Sequence, residues 1–225
     1  MRIPTTLLLL FFATAHAIPI ATAAPEAPSV ARPSLAVNDE WAYQRSSETA
    51  KLGPDQGRRV LIGFKNRDGT LLIASSPLRV PSTQRVWRPE GPIPAGTCLI
   101  DPINRDTLGL PDGCNAKLEA GDTWTINQED TAIHSRKSFR VVEIGLVEVP
   151  AGKFLATRID AEEFSREVMN ASKVPMELGT PIHTVTRYWY ATRAKGMVKI
   201  ERERYNPSGT RTDHALELLV ESNTY

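Results

Sequence analysis

"RYWYATRAKGMVKIERERYNPSGTRTDHALELLV", residues 187–220, decides the fold. Its aromatic and basic residues fit either a grip on nucleic acid or a pair of β-hairpins, and the turns choose between these. Lys195-Gly196 lies inside one turn, and Pro207-Ser208-Gly209 suits a three-residue hairpin loop with glycine in the left-handed position. Pairing Arg193 with Gly196 sets Ala191 opposite Val198 and Trp189 opposite Ile200. Pairing Asn206 with Thr210 sets Ile200 opposite Leu216, Val198 opposite Leu218 and Lys199 opposite Glu217. Successive strand side chains point to opposite sides. This register therefore gathers Trp189, Ala191, Val198, Ile200, Leu216 and Leu218 into an apolar floor and sends Tyr188, Tyr190, Lys199, Glu201 and Glu217 to a solvated reverse face. Acids and bases alternate on that reverse face, which is not the positive stacking platform that single-stranded nucleic acid needs.

The same register sets Arg187 opposite Arg202, with His214 beside them, at one end of the apolar side. Like charges facing each other across strands repel. A basic rim over an apolar floor suits an amphiphile with an anionic head. Strand-end side chains that reach for water, or for acids on another strand, account for the same residues.

Outward from this stretch the chain continues as short alternating runs separated by turn signals, the pattern of antiparallel β-structure. In "RVLIGFKNRDGTLLIAS", pairing Lys65 with Thr70 sets Phe64 against Leu71, Ile62 against Ile73 and Val60 against Ser75. "SFRVVEIGLVEV" and "KFLATRIDAE" form a second pair through Pro150-Ala151-Gly152, in either of two registers. "AEEFSREVMNAS" offers one short helix, with Phe164 and Val168 a turn apart. "NDEWAYQR" and "AGDTWTINQ" open like similar strands near positions 38 and 120, which hints at two similar halves. Residues 78–117 are rich in proline and read as long connections.

The first residues, "MRIPTTLLLLFFATAHAIPIATAA", have the single arginine, the apolar run and the small-residue pairs of a secretory signal peptide. Ala15-His16-Ala17 places cleavage after Ala17; Ala21-Thr22-Ala23 is the alternative site. The apolar run falls short of the roughly 20 residues that span a bilayer. The Ala- and Pro-rich residues 18–36 read as a disordered tether, leaving a single β-rich domain over 37–222. With 41% apolar residues this domain can bury an ordinary core. Losing Arg2 with the leader takes the net charge of +1 to neutrality, which speaks against binding that depends on neutralising phosphates.

Cys98 and Cys114 are the two cysteines. Export makes a structural disulfide their leading reading, because there is no CxxC spacing and no second Cys or His pair to complete a zinc site. Closing the chain between them stabilises the fold by roughly 3 kcal/mol on the chain-entropy model. No GxSxG elbow occurs, and Gly152-Lys153 is followed by Phe154, so it makes no phosphate loop. Asp101, Asn104, Asp106 and Asp112 are oxygen ligands of the kind calcium uses, but their spacing is not that of an EF-hand and Asx-turns explain them equally.

"WYATRAKGMVKIE" (residues 189–201), "VPAGKFLATRID" (149–160) and "AGDTW" (120–124) resemble the TapB-like group of secreted bacterial proteins of unknown function. The resemblance spans mainly residues 120–220 and implies the curved half-barrel fold of the lipoprotein carriers LolA and LolB. It departs at Thr192-Arg193-Ala194-Lys195, where the group tends towards Pro-Gly. By resemblance, the concave face of the sheet would hold an acyl chain or another apolar ligand.

These readings predict a mainly β protein, a curved antiparallel half-barrel with long loops and at most one or two short helices. It is expected in the periplasm or outside a bacterial cell, without a transmembrane segment, cofactor or metal. Its expected role is to hold a lipid or other amphiphile on the floor residues, with Arg187, Arg202 and His214 as rim. The alternative is an envelope protein that binds another protein; an enzyme ranks third, with His214 near Glu201 as the place to look.

Overall fold

The structure is a computed structural model that describes residues 29–49, 57–94, 97–99, 108–109, 114, 117–129, 133–171 and 174–224. The strands in chain order are β1 (Ser29–Val30), β2 (Glu40–Ser47), β3 (Gly57–Lys65), β4 (Leu71–Pro77), β5 (Arg88–Ile93), β6 (Leu118–Glu119), β7 (Thr123–Glu129), β8 (Ile133–Val149), β9 (Gly152–Ala171), β10 (Val174–Ala191), β11 (Gly196–Tyr205) and β12 (Arg211–Asn223). Ten of them form one curved, open antiparallel sheet in the order β5-β4-β3-β2-β12-β11-β10-β9-β8-β7. Two meanders, β2 to β5 and β7 to β12, thus meet where β12 pairs with β2. The short β1–β6 pair is a separate two-stranded sheet. Helical structure among the described residues is confined to two three-residue 3-10 turns, Ser82–Gln84 and Thr192–Ala194.

The mainly β expectation holds, and several local expectations are corrected. The residues read as a helix belong to β9, where Phe164 pairs with Arg136 on one side and with His183 on the other. Two neighbouring strands satisfy the backbone there, which outweighs an i, i+4 apolar coincidence. The supposed connection over residues 78–117 contains β5. From Ser29 the supposed tether is packed, with Val30, Arg32 and Leu35 buried. The leader, residues 18–28 and the candidate calcium ligands lie outside the described residues.

The β3–β4 and β11–β12 turns lie over the residues the sequence assigns them, the β10–β11 turn is longer than expected, and bulges shift the pairing along all three hairpins. Asn66 donates its backbone N–H to Thr70, and Ile62 faces Ile73 and Val60 faces Ser75 as expected. Gly63 is an extra residue, however, so Phe64 pairs with Leu72 instead of Leu71. Likewise Asn206 donates to Thr210, but Thr212 is extra, and from there Ile200 faces Glu217 and Lys199 faces Leu218. In the preceding hairpin Ala191 pairs with Gly196 around a longer turn. Val198 is extra there, so Trp189 faces Lys199 and Tyr188 faces Ile200. Each bulge inserts one residue, and a one-residue slip moves every later side chain to the opposite face.

Cross-strand rows define the two faces of the second meander. Val141, Ile159, Tyr188, Ile200 and Glu217 share one row, and Trp124, Phe139, Ala161, Thr186, Arg202 and Ala215 the next row on the same side. The apolar members of this face from Phe139 to Ile200 are at most 3% exposed. They pack with Val30, Leu99, Leu108 and Leu118, so the chain's own N-terminal strand and connecting segments cover this side. Trp124 stacks on Phe139 at 4.9 Å and donates its indole N–H to the Leu108 carbonyl at 2.7 Å, fastening the cover.

Candidate functional site

The six floor residues do not form one surface. Ile200 lies on the covered face with Tyr188 and Tyr190, two residues expected in solvent and wholly buried instead. Trp189, Ala191, Val198 and Leu218 belong to a different cluster, built with Trp41, Tyr43, Ile62, Ile73, Phe154 and Leu219. Leu216 lies on the same side of the sheet as Trp189 and Leu218, one row along, beside Arg187 and Glu201, so it is Ile200 that the register carries to the opposite face. Two bulges, neither signalled by a glycine or a proline, cause this split.

Trp189 is already occupied by its neighbours. The Lys199 ammonium lies 4.2 Å from its ring centroid and the Arg158 guanidinium 5.9 Å away. Arg158 is held in turn by a two-pronged bond to Asp160, with both contacts at 2.8 Å, and this pairing raises its pKa. The indole is thus a seat for the protein's own cations.

The rim is also neutralised. Arg187 faces Glu201 instead of Arg202, and its guanidinium reaches Glu203 at 3.2 Å and Glu201 at 3.7 Å. Arg202 points to the other face, opposite Thr186 and Ala215, so the repulsion implied by the expected register is absent. His214 sits between Glu201, 3.2 Å from Nε2, and Glu48, 3.4 Å from Nδ1. Arg211 adds contacts to Glu203 and Glu48. Burial alone would raise the Glu203 carboxyl, but the Tyr205 hydroxyl, Arg187 and Arg211 prevail and hold it below its ordinary value. A depressed carboxylate contributes stability that is complete above its unfolded pKa, about 4.3, and disappears as pH falls through the lower folded value. Urea unfolding should accordingly show a steeper acid loss in the wild type than in Glu203→Gln; equal slopes would remove Glu203 from the network.

Three other features remain. A cavity of about 730 Å³ lies between the Ile93-Pro94 end of β5 and the β7–β8 edge, where Ile126, Phe139 and Lys137 line it. At the β8–β9 turn, Val147, Val149, Phe154 and Ala156 pack inward. The cross-strand pair Leu146 and Leu155 faces the opposite way and is 81% and 59% exposed. Finally, Cys98 and Cys114 are side by side but are not joined by a disulfide in the structure. No group of three or more metal-ligating side chains occurs among the described residues.

Sequence reasoning missed the Leu146–Leu155 pair, although "GLVEVPAGKFLA" carries its signal: on each strand an apolar residue stands beside the one that is buried. It also missed Asp39, which is buried and accepts from Lys195 Nζ at 3.3 Å and from the Ala36 backbone at 2.7 Å.

No family model and no curated protein matches this sequence. Among solved structures, the chain is similar to a candidate lipoprotein from Parabacteroides distasonis at 11% identity and a TM-score of 0.42, covering 84% of this chain and 96% of that one. A candidate exported protein with a YmcC-like fold from Bacteroides fragilis matches at 12% identity and a TM-score of 0.39, over 84% and 97% of the two chains. The hypothetical lipoprotein YmcC of Escherichia coli matches at 10% and 0.35, over 83% and 86%. None of the three is named as a TapB-like protein or as a LolA or LolB carrier.

Proposed function

We propose that this chain is an exported protein of the bacterial envelope that docks onto a protein partner through the tip of its β8–β9 hairpin. Export rests on the leader-like first residues. The observation that carries the docking reading is the outward-facing Leu146–Leu155 pair at the end of an otherwise filled apolar face. Burying such a pair is worth about 1.5–3 kcal/mol per side chain. Its surroundings carry both signs of charge, with Lys153 and Glu148 3.4 Å apart beside it. That suits a protein surface better than an acyl chain, which needs walls on several sides.

A photo-crosslinker placed at Leu155 should capture one dominant protein in the producing cell, whereas the same probe at exposed Arg67 should not. Leu146→Asp in the chain that carries the probe at 155 should abolish the capture, and Leu146→Asp with Leu155→Asp should leave the melting temperature within about 2 °C, because exposed substitutions change stability little. Identical capture at both probe positions would end this reading.

A second reading, a carrier for an apolar or amphiphilic ligand, is favoured by the cavity beside Phe139 and Ile126. Its volume is within the range of small-molecule sites. Native mass spectrometry of protein from its own compartment decides between the two: a retained small molecule supports the carrier, and an empty protein that crosslinks through Leu155 supports docking.

A further inference from the structure

Cys98 is 5% exposed and Cys114 half-buried, and their side chains are within hydrogen-bonding reach of each other. Leu99, next to Cys98, is buried against the covered face, and its carbonyl accepts the Leu108 backbone N–H. The Leu35 backbone N–H bonds to Thr97 on the other side. The two thiols therefore sit at either end of the connection whose Leu99 and Leu108 press on Ile159, Tyr188 and Ile200. Beneath them lies Tyr190, wholly buried, whose hydroxyl has no hydrogen-bond partner among the described residues.

We propose that Cys98 and Cys114 are oxidised to a disulfide in a fixed order, Cys114 reacting first with an incoming disulfide and Cys98 closing the bridge, which fastens the cover onto the sheet. The order follows from access. A disulfide reagent reaches the half-buried sulfur before the buried one, and exchange proceeds through the thiolate. Burial pushes the Cys98 thiol up to about 12, so it stays protonated while Cys114 attacks.

With oxidised glutathione as the acceptor, the Cys114 thiolate attacks one glutathione sulfur, the glutathione S–S bond breaks and one glutathione thiolate leaves and takes a proton. Cys98 then loses its proton to solvent and attacks the Cys114 sulfur, forming the Cys98–Cys114 bond and expelling the second glutathione. Two protein thiols are oxidised and one glutathione disulfide is reduced to two thiols.

The test uses the full chain, reduced and then exposed to oxidised glutathione, quenched with iodoacetamide and weighed intact. The wild type should end two hydrogens lighter, without an alkyl group, and digestion should yield a peptide bridged between positions 98 and 114. Cys98→Ser should accumulate a glutathione adduct on Cys114, whereas Cys114→Ser should leave Cys98 unmodified until the protein is unfolded. If either variant does not fold, quenching the wild type at short times should show the adduct on the Cys114 peptide before the bridge appears. Reducing the bridged protein should lower its melting temperature by about 6–12 °C. Two alkylatable thiols after exposure, or adducts that never resolve, would overturn the bridge. Equal reactivity of the two single-cysteine variants would overturn the order, and an unchanged melting temperature would overturn the fastening.

Discussion

Trp41→Ala is expected to destabilise the protein by about 3–5 kcal/mol, the usual cost of emptying a buried tryptophan site. Trp41 is 1% exposed and is the point where β2 is clamped to the β10–β11 turn. Its indole N–H donates to the Ala194 carbonyl at 2.7 Å. The ring also covers Gly196 so closely that a Cβ there would lie 2.7 Å from Nε1. The residue therefore ties the first strand of the first meander to the β10–β11 turn of the second, beyond the β12–β2 seam. Trp41→Phe keeps most of the area but leaves the Ala194 carbonyl without that donor, and should cost about 1–3 kcal/mol. Urea midpoints at an unchanged m-value read both effects. A loss below about 1 kcal/mol for the alanine variant would mean that Trp41 does not clamp the halves.

Asp39→Ala should cost a comparable amount, about 3–5 kcal/mol, for a different reason. Its carboxylate is completely buried, and it takes Lys195 Nζ on one side and the Ala36 N–H on the other. Lys195 closes the Thr192–Ala194 turn with a φ of 47°, so the pair secures a residue in the left-handed region, where side chains other than glycine are disfavoured. Removing one partner of a buried pair strands the other charge. The discriminating measurement is a double-mutant cycle with Lys195→Met. The double variant should recover part of the loss, since a pair replaced by apolar groups costs less than a pair broken. Strict additivity would show that the two residues act separately.

Both predictions concern contacts between residues more than 150 positions apart. That distance explains where sequence reasoning stopped. "NDEWAYQR" is legible as a strand, and "RAKG" and "NPSG" as turns, because alternation and turn chemistry are local. Nothing local says that Trp41 lands on Gly196 or that Asp39 meets Lys195.

The candidate site shows the same limit more sharply. Locating both turns still left Ile200 off the floor, because Val198 and Thr212 are bulged and the β10–β11 turn closes on Ala191 instead of Arg193. A bulge relieves strain between twisted neighbouring strands, and the residue type at either position does not announce it. What it changed is chemically coherent. Arg187 gained Glu201 where the regular register offered Arg202, and Tyr188 exchanged water for Ile159 and Val141. The bulged arrangement is thus the one in which opposite charges face each other and aromatic rings are dry.

By itself the sequence determined that the chain is mainly antiparallel β, where the β3–β4, β8–β9 and β11–β12 hairpins turn, that its first residues read as a leader and that it lacks the local motifs of common catalytic sites. Those properties depend on period-two alternation, on glycine and proline geometry and on composition, all written within short stretches of chain. Only the tertiary structure decided which face each side chain takes, that Val30, Leu99 and Leu108 fill the apolar face, and that Leu146 and Leu155 are left outside. The physical reason is that facing depends on the sum of all preceding register shifts. Covering a face depends on segments distant in the chain, so both are fixed only when the whole sheet is assembled.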